Sequence, residues 1–141
     1  MILFMRGIVM IEVYVDGSFT TKNPSIVGWG YKSSKMAVAG ELTGKICAMH
    51  QVGGEIKATI EAIKDHANAG EQQISILHDY EGVEAWANGR WRAKNEWTKA
   101  YAKFIADARA KGLAISFIKI DAGANPADEL ARRATGASYA H

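Results

Sequence analysis

Hydrophobic residues in this chain keep two different periods, and the change between them constrains the fold more than any other feature. Between Ile8 and Val15 nearly every residue is a β-former. Ile11, Val13 and Val15 fall on one face, and Glu12, Tyr14 and Asp16 on the other, the alternation of a half-buried strand. From Glu55 to Ala69 the recurrence lengthens, and Ile56, Ile60 and Ile63 lie at helical spacing. Gly53-Gly54 reads as a loop before this helix, and Gly70 ends it.

The remaining segments follow one period or the other. Asp16-Gly17-Ser18 reads as a turn closing the first strand, and Lys22-Asn23-Pro24-Ser25 as a second turn cluster. Gly28 to Lys32 predicts a second strand whose glycines allow close backbone approach. Ser33-Ser34 turns the chain into a third strand over Lys35 to Leu42. Gln73 to Leu77 is a short apolar run suited to a buried strand, with His78-Asp79 at its end. A short helix over Gly82 to Ala87 is broken by Asn88-Gly89. A longer one from Glu96 to Lys111 carries Tyr101, Phe104, Ile105 and Ala108 on one side. Leu113 to Ile120 predicts a fifth strand, Asp121 to Asn125 a loop, and Pro126 to Ala134 a closing helix with proline at or near its first turn. The order βββαβααβα predicts one α/β domain over residues 1–141, a mixed sheet flanked by helices.

Composition narrows the chemistry. The single cysteine, Cys47, precludes an internal disulfide, and with four scattered histidines it makes no zinc pattern. A reducing, cytoplasmic setting is the expectation. The opening MILFMRGIVM is apolar but interrupted by Arg6 and Gly7, and it falls short of a membrane span. It reads as an extension of the first strand, with Met5 or Met10 as alternative starts. A formal charge of +2 does not by itself call for a nucleic-acid partner. No zipper or apolar stripe argues for a dimer, so a monomer is expected.

Four acids stand at the ends of predicted elements: Asp16 and Asp79 after strands, Glu55 and Asp128 in the first turns of helices. If the two strands are parallel neighbours, both aspartates project from one rim of the sheet, where open α/β sheets bind ligands. Carboxylates gathered there repel one another and need protons or cations. With no His or Cys among them, they suit a cage of hard oxygens for Mg²⁺ or Mn²⁺, and two such ions can clamp both oxygens of a phosphodiester displacement. Taken singly, Asp before Gly-Ser is also an ordinary turn, and Glu55 and Asp128 also favour their helix dipoles.

Four segments stand out in order over nearly the whole chain: Tyr14-Val15-Asp16-Gly17-Ser18, Gly54-Glu55-Ile56, Asp79 after a short strand, and Ala127-Asp128-Glu129-Leu130-Ala131. Together, and in that order, they resemble type 1 ribonuclease H. His78 to Asn95 resembles the compact branch of that family, which includes viroplasmin-related enzymes and lacks the full basic protrusion. The resemblance implies a ribonuclease H-like fold with a five-stranded mixed sheet, the second strand antiparallel to the rest. It implies endonucleolytic hydrolysis of the RNA strand of RNA–DNA hybrids by two-metal-ion catalysis with Mg²⁺ or Mn²⁺, leaving 5′-phosphate products. Asp16 would lie between the two ions, Glu55 and Asp79 would complete one site, and Asp128 would help hold the other. Backbone groups at Gly17, Ser18 and Phe19 would read the 2′-hydroxyls, the groups that separate RNA from DNA. Gln51 would contact the minor groove. Trp86, Trp91, Arg92 and Lys94, a remnant of the basic protrusion that also includes Arg90, would grip the DNA strand by stacking and phosphate contact, with Asn95 in a phosphate pocket.

The chain departs from the family at Asp121, which stands where a loop histidine is usual, in a loop that also reads as shortened. The expectation is an auxiliary role for Asp121 and slower turnover, or a stronger demand for Mn²⁺. The alternative reading is a catalytically weak hybrid-binding module of the same fold. Another nuclease of that fold, a resolvase or exonuclease, fits the Asp-Gly-Ser and Gly-Glu-Ile segments less well.

Overall fold

The computed structural model describes residues 10–21 and 23–136. The expected strand start at residues 8 and 9, the alternative start at Met5, Lys22 of the turn cluster and the tail from residue 137 lie outside the described residues. Strands β1 (Ile11–Thr20), β2 (Ile26–Lys32), β3 (Ala37–Leu42), β4 (Gln73–His78) and β5 (Ala114–Lys119) form one sheet in the order β3-β2-β1-β4-β5. β2 runs antiparallel to β1 and β3, while β1, β4 and β5 run parallel, so the mixed sheet is the one expected. Helices α1 (Gln51–Asn68), α2 (Gly82–Ala87), α3 (Glu96–Ala110) and α4 (Asp128–Ala134) complete the fold. Two short 3₁₀ helices, Lys45–Met49 and Ala122–Ala124, were not legible as elements in the sequence.

The predicted apolar faces meet. Val13 and Val15 of β1, Ile74 and Ile76 of β4 and Ile115 of β5 pack with Ile56, Ala62 and Ile63 of α1 and with Tyr101 and Ile105 of α3. Asn95 begins α3 with a capping box, its Oδ1 accepting from the Thr98 N–H at 2.8 Å, which satisfies donors the first turn would otherwise leave open. The Tyr101 hydroxyl donates to the Val83 carbonyl at 2.6 Å and ties α3 to α2. His66 is fully buried with Nδ1 2.8 Å from the Ala62 carbonyl. Nδ1 therefore carries the proton, and Nε2 accepts from the Ser33 hydroxyl at 2.7 Å. That histidine pins the β2–β3 turn to α1.

Near the site the backbone departs from the sequence expectation at two places. Asp16-Gly17-Ser18 is not a turn: β1 continues through it to Thr20, paired with β2 from Tyr14↔Lys32 to Thr20↔Ile26. The parallel ladder to β4 stops at Tyr14↔Leu77, so Asp16 stands beyond it, free of β4 on that side. Gly53 and Gly54 are not a loop but the first turn of α1, which places Glu55 in its second turn. Glycine inside a helix costs about 1 kcal/mol relative to Ala. Here the cost is offset by packing, because a Cβ on Gly17 would lie 2.2 Å from the Gln51 carbonyl oxygen, and one on Gly54 would lie 2.2 Å from the Gly28 carbonyl oxygen. Helix and strand backbones touch because all three positions lack side chains.

Gly17→Ala is therefore expected to lose about 3 kcal/mol of stability, since the atoms it meets are backbone and cannot rotate away. Thermal or urea unfolding would measure this, and a variant as stable as the parent would show that α1 can slide off β1. Gly28 and Gly30 abut Ala131 and Leu130 of α4, whereas Gly17, out of phase with them, abuts α1. The helices thus cover both faces of β1–β2, and the rim between α1 and α4 is where Asp16 emerges.

Candidate active site

Asp16, Glu55 and Asp79 each present a carboxylate oxygen, and these atoms lie within 4.8 Å of one another. Three elements deliver them: β1, the second turn of α1 against Gly17, and the residue after β4. Asp16 and Glu55 are buried, 6% and 3% exposed, and Asp79 is half-buried. The Gly17 N–H donates to Asp16 Oδ1 at 2.8 Å and orients that carboxylate. Glu55 Oε1 is buried with no hydrogen-bond partner among the described residues. Such a group is costly unless it is protonated or meets a cation.

Asp128 is near this trio but not of it. It sits in the first turn of α4, half-buried, with Oδ2 3.0 Å from Arg132 Nε. Its charge and a hydrogen bond from its side chain both act on Asp16. The fourth acid therefore borders the cluster at Asp16.

The electrostatics express this crowding. Burial, then the Asp79 charge, then Asp128 push the Asp16 carboxyl up to about 7, against the lowering effect of the Gly17 N–H. Burial, then the charges of Asp79 and Asp16, push Glu55 to about 9. At neutral pH the site without a cation holds protons on Glu55 and, part of the time, on Asp16. A divalent cation would displace them. Hard oxygen donors, a buried carboxylate oxygen with nothing to bond, and carboxyls that need positive charge all fit Mg²⁺ or Mn²⁺.

In sequence Asn125 reads only as a loop residue, yet it is the best-bonded polar side chain at the site. It is 6% exposed. Its Nδ2 donates to the Val15 carbonyl at 2.8 Å and to Asp79 Oδ2 at 2.8 Å, and its Oδ1 accepts from the Ala127 N–H at 3.0 Å. The only sequence signal was a polar residue just before Pro126 at a helix entry.

The other expected contact residues fall on two surfaces. Gly17, Ser18 and Phe19 extend along β1 from Asp16, and the Phe19 ring stacks on His50 with centroids 4.5 Å apart. His50 precedes Gln51, the exposed first residue of α1, and has φ 55°, the one positive φ outside glycine among the described residues. Trp86 and Trp91 form an aromatic cluster with Tyr80, the two indoles 5.5 Å apart. Both are half-buried, and Trp86 also packs on the core. With Arg90, Arg92 and Lys94 they line an open recess. Arg90 is committed elsewhere: its guanidinium pairs with Glu84 at 2.6 Å and Glu81 at 2.9 Å. Arg92 and Lys94 are exposed. Asn95 spends its Oδ1 on capping α3, while its Nδ2 lies 3.3 Å from the Met49 sulfur. His78 is buried with Nδ1 2.9 Å from the Tyr80 carbonyl, and burial lowers its pKa. Asp121 is exposed at the start of the Ala122–Ala124 turn and outside the acid trio.

Known structures share this architecture. Ribonuclease H1 from the halophilic archaeon Halobacterium salinarum matches with a TM-score of 0.71 at 21% identity, over 89% of this chain and 97% of that one. LC11 ribonuclease H1, solved in complex with an RNA/DNA hybrid, matches with a TM-score of 0.70 at 18% identity, over 92% and 99%. The N-terminal ribonuclease H domain of rv2228c from Mycobacterium tuberculosis matches with a TM-score of 0.65 at 16% identity, over 92% and 96%. No family model matches the chain, and no curated protein does. The fold is that of type 1 ribonuclease H, with a five-stranded mixed sheet. No helix among the described residues is long and apolar enough to cross a membrane.

Proposed function

We propose that this chain is a single-domain, cytoplasmic, metal-dependent endonuclease that hydrolyses the RNA strand of RNA–DNA hybrids. The observation that carries the reading is the buried carboxylate cluster with its unpartnered Glu55 oxygen, set in a fold shared with ribonucleases H1. Asp16, Glu55 and Asp79 would hold one divalent cation, and Asp16 with Asp128 a second. Bound there, Mg²⁺ or Mn²⁺ would supply activation of the attacking water and charge relief on the leaving oxygen. The products would carry 5′-phosphates and 3′-hydroxyls.

The chain's own residues have distinct tasks in this reading. Gly17 lets α1 approach until Glu55 joins Asp16. Backbone groups of Gly17, Ser18 and Phe19, continuing the strand away from Asp16, meet the 2′-hydroxyls of the RNA strand, and Gln51 meets the minor groove. Trp86 and Trp91 offer faces for the DNA strand, and Arg92, Lys94 and Asn95 offer phosphate contacts. Arg90, already paired with two carboxylates, adds little to that grip.

Labelled RNA–DNA hybrid, RNA duplex and DNA duplex, each incubated with Mg²⁺ or Mn²⁺ and with chelator, test the proposal. Cleavage confined to the hybrid and lost with chelator is expected. Tight binding to the hybrid without cleavage would instead establish the non-catalytic binding module, and cleavage of DNA duplex would establish a different nuclease. Asp121→His is expected to raise turnover several-fold or relax the demand for Mn²⁺, because a neutral loop imidazole can exchange protons near pH 7. A large loss of turnover would assign Asp121 a positive role of its own.

A further inference from the structure

We propose that Asn125 is a positioning residue that sets the cation selectivity of the acid cluster, by denying Asp79 a two-oxygen grip on the ion. The inference rests on the metal-binding role proposed above and adds a residue and a selectivity to it. Calcium takes six to eight oxygens and readily accepts both oxygens of one carboxylate. Magnesium and manganese take fewer protein oxygens in stricter geometry and keep bound waters. Whether a carboxylate can chelate with both oxygens therefore bears directly on which ion a site prefers.

Asp79 is restrained in this respect. Its Oδ2 accepts from Asn125 Nδ2 at 2.8 Å, and the same nitrogen is anchored to the Val15 carbonyl at 2.8 Å. The amide is held in place, because its Oδ1 accepts the Ala127 N–H at 3.0 Å and the residue is only 6% exposed. One oxygen of Asp79, at the end of β4, is thereby tied through Asn125 to β1 one residue before Asp16 and to the loop into α4. A neutral amide does this without adding charge to a cluster already crowded with it. An aspartate at position 125 would lose both donor bonds and add a fifth carboxylate. Asp128 is held in a looser version of the same way, its Oδ2 paired with Arg132 Nε at 3.0 Å on the exposed side of α4.

Asn125→Ala removes the donor to Asp79. Asn125→Ser also removes it but keeps a hydroxyl for the Ala127 N–H, so it guards against loss of the helix entry. Dissociation constants for Mn²⁺ and for Ca²⁺ would be measured calorimetrically on the substrate-free protein and both variants, with circular dichroism confirming the fold. The preference for Mn²⁺ over Ca²⁺ is expected to fall by about fivefold or more in the variants, a ratio of affinities that general loosening of the site would not move. Mn²⁺ and Ca²⁺ weakened by the same factor would overturn the inference and leave Asn125 a structural residue. A parent protein that binds neither ion would overturn the metal reading, and this one with it.

Discussion

Asp16→Asn is expected to abolish hybrid cleavage and, at the same time, to stabilise the cation-free protein above neutral pH. The loss of activity should be about a thousandfold or more, the scale found when one member of a group acting as a unit is removed. The gain in stability comes from the same crowding. Asparagine keeps the acceptor that the Gly17 N–H uses at 2.8 Å, but it carries no charge to be buried beside Asp79 and Asp128. At pH 8 the gain should be on the order of 1–3 kcal/mol, read as a higher thermal midpoint in chelator. Glu55→Gln should act with the same sign, because burial and its neighbours push Glu55 to about 9. A variant that cuts within tenfold of the parent, or that melts lower in chelator at pH 8, would contradict the assignment. A structural aspartate would lose stability when neutralised, so the two readouts together separate a strained functional acid from a supporting one.

The second large effect is a linkage between pH, divalent cation and stability. Asp16 and Glu55 have folded-state values raised above their ordinary ones, to about 7 and about 9. A raised carboxyl stabilises the fold fully below its unfolded value, near 4, and that contribution is lost as pH rises through the folded value. The cation-free protein should therefore lose stability between about pH 5 and pH 9, by a total on the order of 3 kcal/mol across the coupled site. Mg²⁺ or Mn²⁺ should reverse the trend, since a ligand at about 100 times its Kd adds about 2.7 kcal/mol. The stabilisation by either ion should grow with pH, because fewer protons then compete. Thermal midpoints at four pH values with chelator and with 10 mM Mg²⁺ would show two curves diverging upward in pH. Parallel curves would mean that the cluster does not hold the cation.

Much of this was legible in the residues. The alternation of Ile11, Val13 and Val15 and the helical spacing of Ile56, Ile60 and Ile63 mark the buried faces that pack together. The four acids read as rim residues meet as a trio with Asp128 alongside. Sequence and structure differ where packing overrides local chemistry. Asp-Gly-Ser has the composition of a turn, but Gly17 is there so that α1 can lie on a continuing strand. Gly53-Gly54 has the composition of a loop, but both glycines sit in the first turn of a helix, and Gly54 meets the Gly28 carbonyl. Only the long-range pairing of these backbones resolves either ambiguity, and no window of sequence contains both partners. Asn125 shows the same limit from the side of function. Its three bonds reach residues 15, 79 and 127, two of them far away in sequence, so nothing local marks it. Arg90 reads in sequence as one of a basic group, and its pairing with Glu81 and Glu84 is formed only once the turn after α2 is folded.

If the cluster of Asp16, Glu55 and Asp79 exchanges protons for divalent cations, binding of the ion must release protons. Mn²⁺ titration of the substrate-free protein at pH 7, by calorimetry in two buffers of different ionisation enthalpy, counts those protons directly. Saturable binding with release of about one to two protons per chain is expected, falling in Asp16→Asn. Mn²⁺ that binds with no proton release, or fails to bind the parent protein at all, would contradict it.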